Sequence, residues 1–169
     1  MWFTGLSQAG KTTLANEVYQ ILKSKNLKLE RLDGDIVRKS LSSDLGFSKE
    51  DRDENIRRVM YVAKFLSSNG TGVICSFISP YRNIRKMVRD QVTNFIEVFC
   101  SCPLEVCEKR DKKGLYQRAR KGEIKNFTGI SDPYESPDTP EIEVNTDRET
   151  IQESVDKVIE YLTKRGFIH

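Results

Sequence analysis

Apolar residues recur along the chain in two rhythms, and their alternation predicts the architecture. Residues 1–4 form a short apolar run of strand character around Trp2 and Phe3. Residues 11–25 follow a helical period, with Leu14, Val18, Ile21 and Leu22 on one face. Residues 27–32 alternate loosely and read as a second strand, and 36–41 as a short helix. Ser48 is a fitting N-cap, with Asp51 three residues on, for a helix carrying Ile56, Val59, Met60, Ala63 and Leu66 inward. Asn69-Gly70 ends it. Residues 73–78 and 94–100 are apolar runs of strand length, as in a sheet covered on both faces. Between them, 81–90 reads as a basic surface helix. Residues 104–110 and 115–121 are short helices, 127–140 a loop and 142–144 a brief last strand. Residues 150–164 close the chain as a helix with Ile151, Val155, Val158, Ile159 and Leu162 inward. The expected fold is α/β: a three-layer sandwich with a mainly five-stranded parallel sheet, in one domain over 1–169. Ligands of such sheets bind beyond the carboxyl ends of the strands, near which Gly5, Asp33, Ser79 and Cys100 all fall.

The chemistry enters at Gly5-Leu6-Ser7-Gln8-Ala9-Gly10-Lys11-Thr12, placed between the first strand and the first helix. Gly, four residues, then Gly-Lys-Thr is the phosphate-loop pattern, and strand–loop–helix is the context it needs. The glycines let successive N–H groups turn inward on phosphate oxygens, and the helix amino end adds positive charge. Lys11 is expected to reach the β- and γ-phosphates of a nucleoside triphosphate, and the Thr12 hydroxyl to ligate magnesium. Thr13 follows as the next residue of that helix. The motif leaves the acceptor open.

Asp33-Gly34-Asp35 follows the second strand. One carboxylate can hold magnesium through water while the other orients or deprotonates a hydroxyl. Asp35, lying further out, is the preferred base. Arg38, Arg52, Asn55, Arg57 and Arg58 gather near a helix start, where arginine works against the helix dipole unless it meets an anion. Phe47 and Phe127 fall outside any periodic apolar face: either they pack under loops or they stack on a base. Lys112, Lys113, Arg118, Arg120 and Lys121 form a basic segment suited to a mobile lid at about 112–136.

Composition narrows the partners. The 28 basic and 25 acidic residues nearly balance, and +3 is too small a net charge to imply nucleic acid. No apolar run reaches membrane-spanning length, and no secretory leader pattern opens the chain, so a cytoplasmic location is expected. Cys75, Cys100, Cys102 and Cys107 lack disulfide-framework or zinc spacing and read as buried free thiols. The first strand is short, as in a naturally short enzyme or a domain cut from a longer chain.

The ordered motifs together resemble the adenylylsulfate kinases (APS kinases). They include Phe3-Thr4-Gly5-Leu6-Ser7, Leu32-Asp33-Gly34-Asp35-Ile36-Val37-Arg38, Gly46-Phe47-Ser48 and the run Asp51 to Arg58. Phe77-Ile78-Ser79-Pro80-Tyr81-Arg82, Pro103 to Asp111, Lys113-Gly114-Leu115-Tyr116, Phe127-Thr128-Gly129-Ile130 and Pro133-Tyr134-Glu135 complete the series. The resemblance covers essentially the whole chain. It implies a P-loop nucleoside triphosphate hydrolase fold and transfer of the ATP γ-phosphate to the 3′-hydroxyl of adenosine 5′-phosphosulfate (APS), giving PAPS. It also implies magnesium as cofactor, a homodimer, and ATP sulfurylase as a fused or physical partner. By resemblance, Asp35 positions or deprotonates the hydroxyl, with Asp33 also at the substrate. Arg38, Arg52 and Asn55 bind the phosphosulfate, while Phe47 and Phe127 sandwich its adenine. Ile78 and Ser79 line the acceptor pocket, Lys113 reaches in from the lid, and Arg110 packs on the ATP adenine. The family position matching Ser79 is described as a phosphoserine intermediate. Direct in-line transfer is the preferred chemistry, because no base neighbours Ser79 in sequence. Gln8 departs from the small residue usual at its place. Two rival readings are another small phosphate-loop kinase and a regulatory nucleotide-binding domain without turnover.

Overall fold

The structure is a computed structural model that describes residues 1–168. Five strands form one parallel sheet: β1 (Trp2–Thr4), β2 (Leu29–Asp33), β3 (Gly72–Ser76), β4 (Glu97–Ser101) and β5 (Ile142–Asn145), in the order β2-β3-β1-β4-β5. Seven helices connect and cover them among the described residues: α1 (Lys11–Ser24), α2 (Gly34–Lys39), α3 (Lys49–Ser68), α4 (Arg82–Gln91), α5 (Leu104–Lys109), α6 (Leu115–Arg120) and α7 (Ile151–Lys164). The three-layer α/β arrangement is the one the alternating rhythms predict. No helix among the described residues is long and apolar enough to cross a membrane.

The period-two geometry of strands divides the core. Phe3 and Ile74 join Leu14, Val18, Val155 and Val158 under α1 and α7. Trp2, Val73 and Cys75 face the other way, toward Ile56, Val59, Ile84 and Val88 of α3 and α4. Three residues therefore suffice for β1, because it lies in the centre and both of its faces are covered. Its ladder pairs Trp2 with Cys75 on one side and with Glu97 on the other.

Three sequence expectations change. Helix α4 is not simply a surface helix, since Ile84, Val88 and the charged Arg85 are all buried. Ile151 does not face inward: it is 53% exposed, one residue past the N-cap, before α7 has turned onto the sheet. β2 begins at Leu29 and leaves Leu27 exposed, because it is an edge strand with one neighbour. Two strand bounds also shift: β3 ends at Ser76 rather than 78, and β4 begins at Glu97 rather than 94. The capping signals hold. Ser48 Oγ accepts from the Asp51 N–H at 3.1 Å. Thr150 and Glu153 close a capping box that starts α7. All four cysteines are free; Cys75, Cys100 and Cys107 are buried, and burial pushes each up to about 12, whereas Cys102 is half-buried rather than buried as expected.

Val158→Ala empties a fully buried site and is expected to cost about 2–3 kcal/mol. For a chain of this size that lowers Tm by roughly 4–12 °C. Ile151→Ala should shift Tm by no more than about a degree or two, as other exposed positions do. Thermal melts of both variants decide; equal losses would place Ile151 in the core after all.

Candidate active site

A cavity of about 800 Å3 opens beyond the carboxyl ends of β1, β2 and β3. The chain builds β2 and β3 on one side of β1 and β4 and β5 on the other, so a crevice forms where it changes direction. Ser7, Gln8, Gly10, Lys11, Thr12 and Thr13 of the phosphate-loop motif line one end of it. Gly5, Leu6 and Ala9 do not reach it. Gly5 has a structural reason: a Cβ there would meet the Cys100 carbonyl oxygen at 2.6 Å. Ala9 is fully buried behind the loop. Gln8 takes a left-handed backbone, φ 63°.

Lys11 is buried, and its Nζ donates to the Leu6 carbonyl at 2.6 Å, across its own loop. Burial lowers its ammonium below the ordinary 10.5, and nearby Asp33 and Asp35 only partly oppose this. An anion of phosphate type would restore a charged partner to it. The Thr12 hydroxyl donates to Asp33 Oδ2 at 3.0 Å. Ser76 Oγ donates to the same oxygen at 2.8 Å, and the Asp35 N–H to Oδ1 at 3.0 Å. Burial alone would raise the Asp33 carboxyl, but these bonds and Arg31 outweigh it, and the group lies below its ordinary 3.8. Asp33 is thus the acid seated against the phosphate loop, whereas Asp35 is exposed and pairs with Lys113 at 3.8 Å. A hydroxyl beside a carboxylate fits magnesium, which takes few protein oxygens and fills its shell with water and phosphate. Among the described residues no cluster of three or more His, Cys, Asp or Glu side chains offers a complete protein cage.

The other end of the cavity is lined by Asp35, Arg38, Phe47, Arg52, Asn55, Ile78 and Ser79, with Lys113 at its edge. Arg52 and Asn55 share the buried face of α3, and Asn55 Oδ1 has no partner there. Arg57 and Arg58 turn away; Arg58 grips Asp44 with two bonds of 2.6 and 2.9 Å. The exposed Phe47 ring lies under the guanidinium groups of Arg38 and Arg52, at 4.8 and 5.6 Å. Phe127 does not line the cavity: it meets Tyr116 edge-on at 4.9 Å and packs on the core. Arg110 lines the cavity and donates to Thr146, at 2.6 Å to the carbonyl. The Ser79 hydroxyl is buried, accepting from Trp2 Nε1 and donating to Thr4 Oγ1, both at 3.0 Å.

Sequence reasoning missed Thr146 and the start of α7, where Glu149, Thr150 and Ile151 also line the cavity. The Thr150–Glu153 cap was the available signal, but by itself it announces only a helix start. It also missed that Tyr116 is buried and donates to the Ser7 carbonyl at 2.9 Å. The segment proposed as a lid is therefore docked on the phosphate loop in this conformation. Arg118 and Arg120 of that segment are engaged by Glu123 and Glu108.

A phosphate-loop motif and an acid pair lining one cavity of a parallel sheet define a small nucleotide-dependent kinase. The family model for adenylylsulphate kinase matches residues 1–145, and the chain belongs to that family. It is 61% identical over its full length to the adenylyl-sulfate kinase of Halothermothrix orenii, covering 91% of that protein. It is 52% identical over 168 residues to a probable bifunctional SAT/APS kinase of Sorangium cellulosum, but spans 29% of that longer chain. Among solved structures it superposes on the Mycobacterium tuberculosis APS kinase in complex with AMPPNP and APS. That match has a TM-score of 0.91 and 43% identity, covering 96% of this chain and 95% of the other.

The Asp33 carboxylate is depressed in the fold, so its contribution is full above about pH 4 and fades as pH falls through its lower folded value. Asp33→Asn should cost about 1.5–3 kcal/mol at pH 7, the range for hydrogen bonds to a charged group. The gap from wild type should narrow at pH 3. Urea unfolding at both pH values checks this, and an unchanged gap would show that the charge is not the source.

Proposed function

We propose that the two ends of the cavity hold ATP and APS head to tail, so that the γ-phosphate of one faces the 3′-hydroxyl of the other. The chain is an ATP-dependent adenylyl-sulfate kinase by family. The observation that carries the assignment of ends is the placement of Lys11 and Thr12 in one cavity with Asp35 and the unpartnered Asn55. In this reading Lys11 and the loop N–H groups hold the β- and γ-phosphates. Thr12 and Asp33 are the residues that would hold magnesium, which would supply charge neutralisation on the triphosphate when bound. Asp35 accepts the proton of the 3′-hydroxyl as its oxygen bonds to the γ-phosphorus and the bond to ADP breaks. Products are ADP and PAPS. Arg38, Arg52 and Asn55 take the phosphosulfate, and Ile78 borders the acceptor. The buried, doubly bonded Ser79 hydroxyl supports direct transfer over a phosphoserine intermediate.

Arg110 is read as the platform for the ATP adenine. Phe47 and Phe127 are read as the acceptor sandwich, which requires the Phe127 turn to leave Tyr116 and close toward Phe47 when APS binds. Residues 112–136 would then act as the lid, carrying Lys113 over Asp35. A cytoplasmic homodimer, with ATP sulfurylase as a fused or separate partner, completes the reading; sedimentation of the purified chain tests the dimer.

Asp35→Ala is expected to abolish most PAPS formation, by about a hundredfold or more for loss of a positioned base. AMPPNP binding should stay within a few-fold of wild type. PAPS formation near the wild-type rate in a coupled assay removes Asp35 from this role.

Phe47→Leu should weaken APS about tenfold, the lower range for loss of base stacking. AMPPNP affinity and Tm should hardly move. Phe127→Leu should weaken APS and also lower Tm, because Phe127 packs on Tyr116. Calorimetry on both variants, with melting curves, decides; unchanged APS binding in both sinks the sandwich.

A further inference from the structure

Arg85 is a buried cation outside the cavity lining, on a helix whose sequence reads as a solvated surface. Its three nitrogens are all engaged. Nε donates to Glu97 Oε1 at 2.9 Å, one terminal nitrogen to the Ser79 carbonyl at 2.6 Å, and the other to the Glu135 carbonyl at 2.5 Å. Glu97 is held in turn by Arg89 at 3.2 Å, and Glu141 binds both Arg89 and the Glu97 N–H. A buried Arg–Glu pair is seldom the most stable filling of such a space, since apolar residues of similar volume often serve as well or better. Stability therefore does not account for it.

What the fork touches does. Ser79 lies in the wall of the acceptor end, and its backbone is left-handed at φ 40°, a conformation that costs free energy in a residue other than glycine. Arg85 fixes its carbonyl, while Trp2 and Thr4 fix its hydroxyl. The neighbouring Ile78 carbonyl is held by Thr4 Oγ1 at 2.7 Å. At the far end of the guanidinium, Glu135 closes the segment that carries Phe127, and its N–H donates to the Pro80 carbonyl at 2.8 Å. One planar group thus spans the strained wall and the foot of the lid, a task that a point charge on a flexible stem cannot perform.

We propose that Arg85 is a positioning residue of the acceptor half of the site, holding the Ser79 backbone and the foot of the 112–136 segment in register for APS. It acts on acceptor binding and leaves the phosphate loop alone. This rests on the reading that the Phe47–Ser79 end of the cavity holds APS.

Two variants test it. Arg85→Lys keeps a cation beside Glu97 but loses the fork. Arg85→Met with Glu97→Leu removes the pair without stranding a charge, and Arg89 retains Glu141. Both should raise the KM for APS about ten- to a hundredfold, the range for a misplaced binding wall. The Kd of AMPPNP, measured without APS, should stay within about twofold of wild type, below the tenfold that marks a lost contact. A folded variant of either kind with a wild-type KM for APS overturns the proposal. Equal losses for APS and AMPPNP also overturn it, since they report a general loosening. Phe47→Leu is the parallel arm. If it weakens APS while the Arg85 variants do not, the positioning role fails and the acceptor site stands. If all of them leave APS untouched, the placement of APS at this end fails, and the proposal with it.

Discussion

The site depends on one carboxylate. Asp33 ends β2, caps α2 through the Asp35 N–H, and accepts from Thr12 at the start of α1 and from Ser76 at the end of β3. Four segments meet on two oxygens. The parallel ladder makes this meeting possible, because Asp33 and Ser76 are register partners at the tips of neighbouring strands. An ionised acceptor with three donors is strongly favoured over its protonated form. The same bonds that keep it charged also fix the distance between the phosphate loop and the acid turn. Asp35 inherits its position from that arrangement: its N–H is bound to Asp33, while its exposed side chain pairs with Lys113.

The Phe47–Ser79 end of the cavity is held differently, by arginines gripping backbone. Arg52 donates to the Phe47 carbonyl at 3.1 Å and to the Asn126 carbonyl at 2.5 Å, so one side chain holds the segments that precede and contain both aromatic rings. Burial lowers its guanidinium slightly, with Asp132 opposing, and Asp132 is itself bound twice by the Tyr81 hydroxyl. The bonds to Asn126 and from Tyr81 to Asp132 join segments distant in sequence. The phosphate-loop end, by contrast, is built onto the central strand β1 and the first helix α1.

Much of this was legible in the sequence, for identifiable reasons. The phosphate loop could be read because its geometry demands specific residues at fixed spacing between a strand and a helix. The sheet could be read because central parallel strands are apolar on both faces, as residues 73–75 are. Asp33 and Asp35 were both singled out, but their division of labour depends on Ser76 and Thr12, which are distant in sequence. The burial of Arg85 was hidden for a similar reason: a helix rich in Arg and Lys reads as solvated until the partner strand brings Glu97 beneath it. Phe127 could be recognised as out of period, yet not as packed against Tyr116, since both lie in segments without regular spacing.

The unusual Gln8 shows how far backbone context can override residue preference. At φ 63° a non-glycine residue pays roughly 1 kcal/mol or more for crowding between Cβ and backbone. The loop nevertheless keeps its form, because its shape is set on either side. The Ala9 N–H closes onto the Leu6 carbonyl at 3.2 Å, the Tyr116 hydroxyl holds the Ser7 carbonyl, and Lys11 spans the loop to Leu6. Gly10 supplies a further left-handed turn at φ 85° without that cost. Glutamine is thus carried in a conformation that the bonds on either side of it fix.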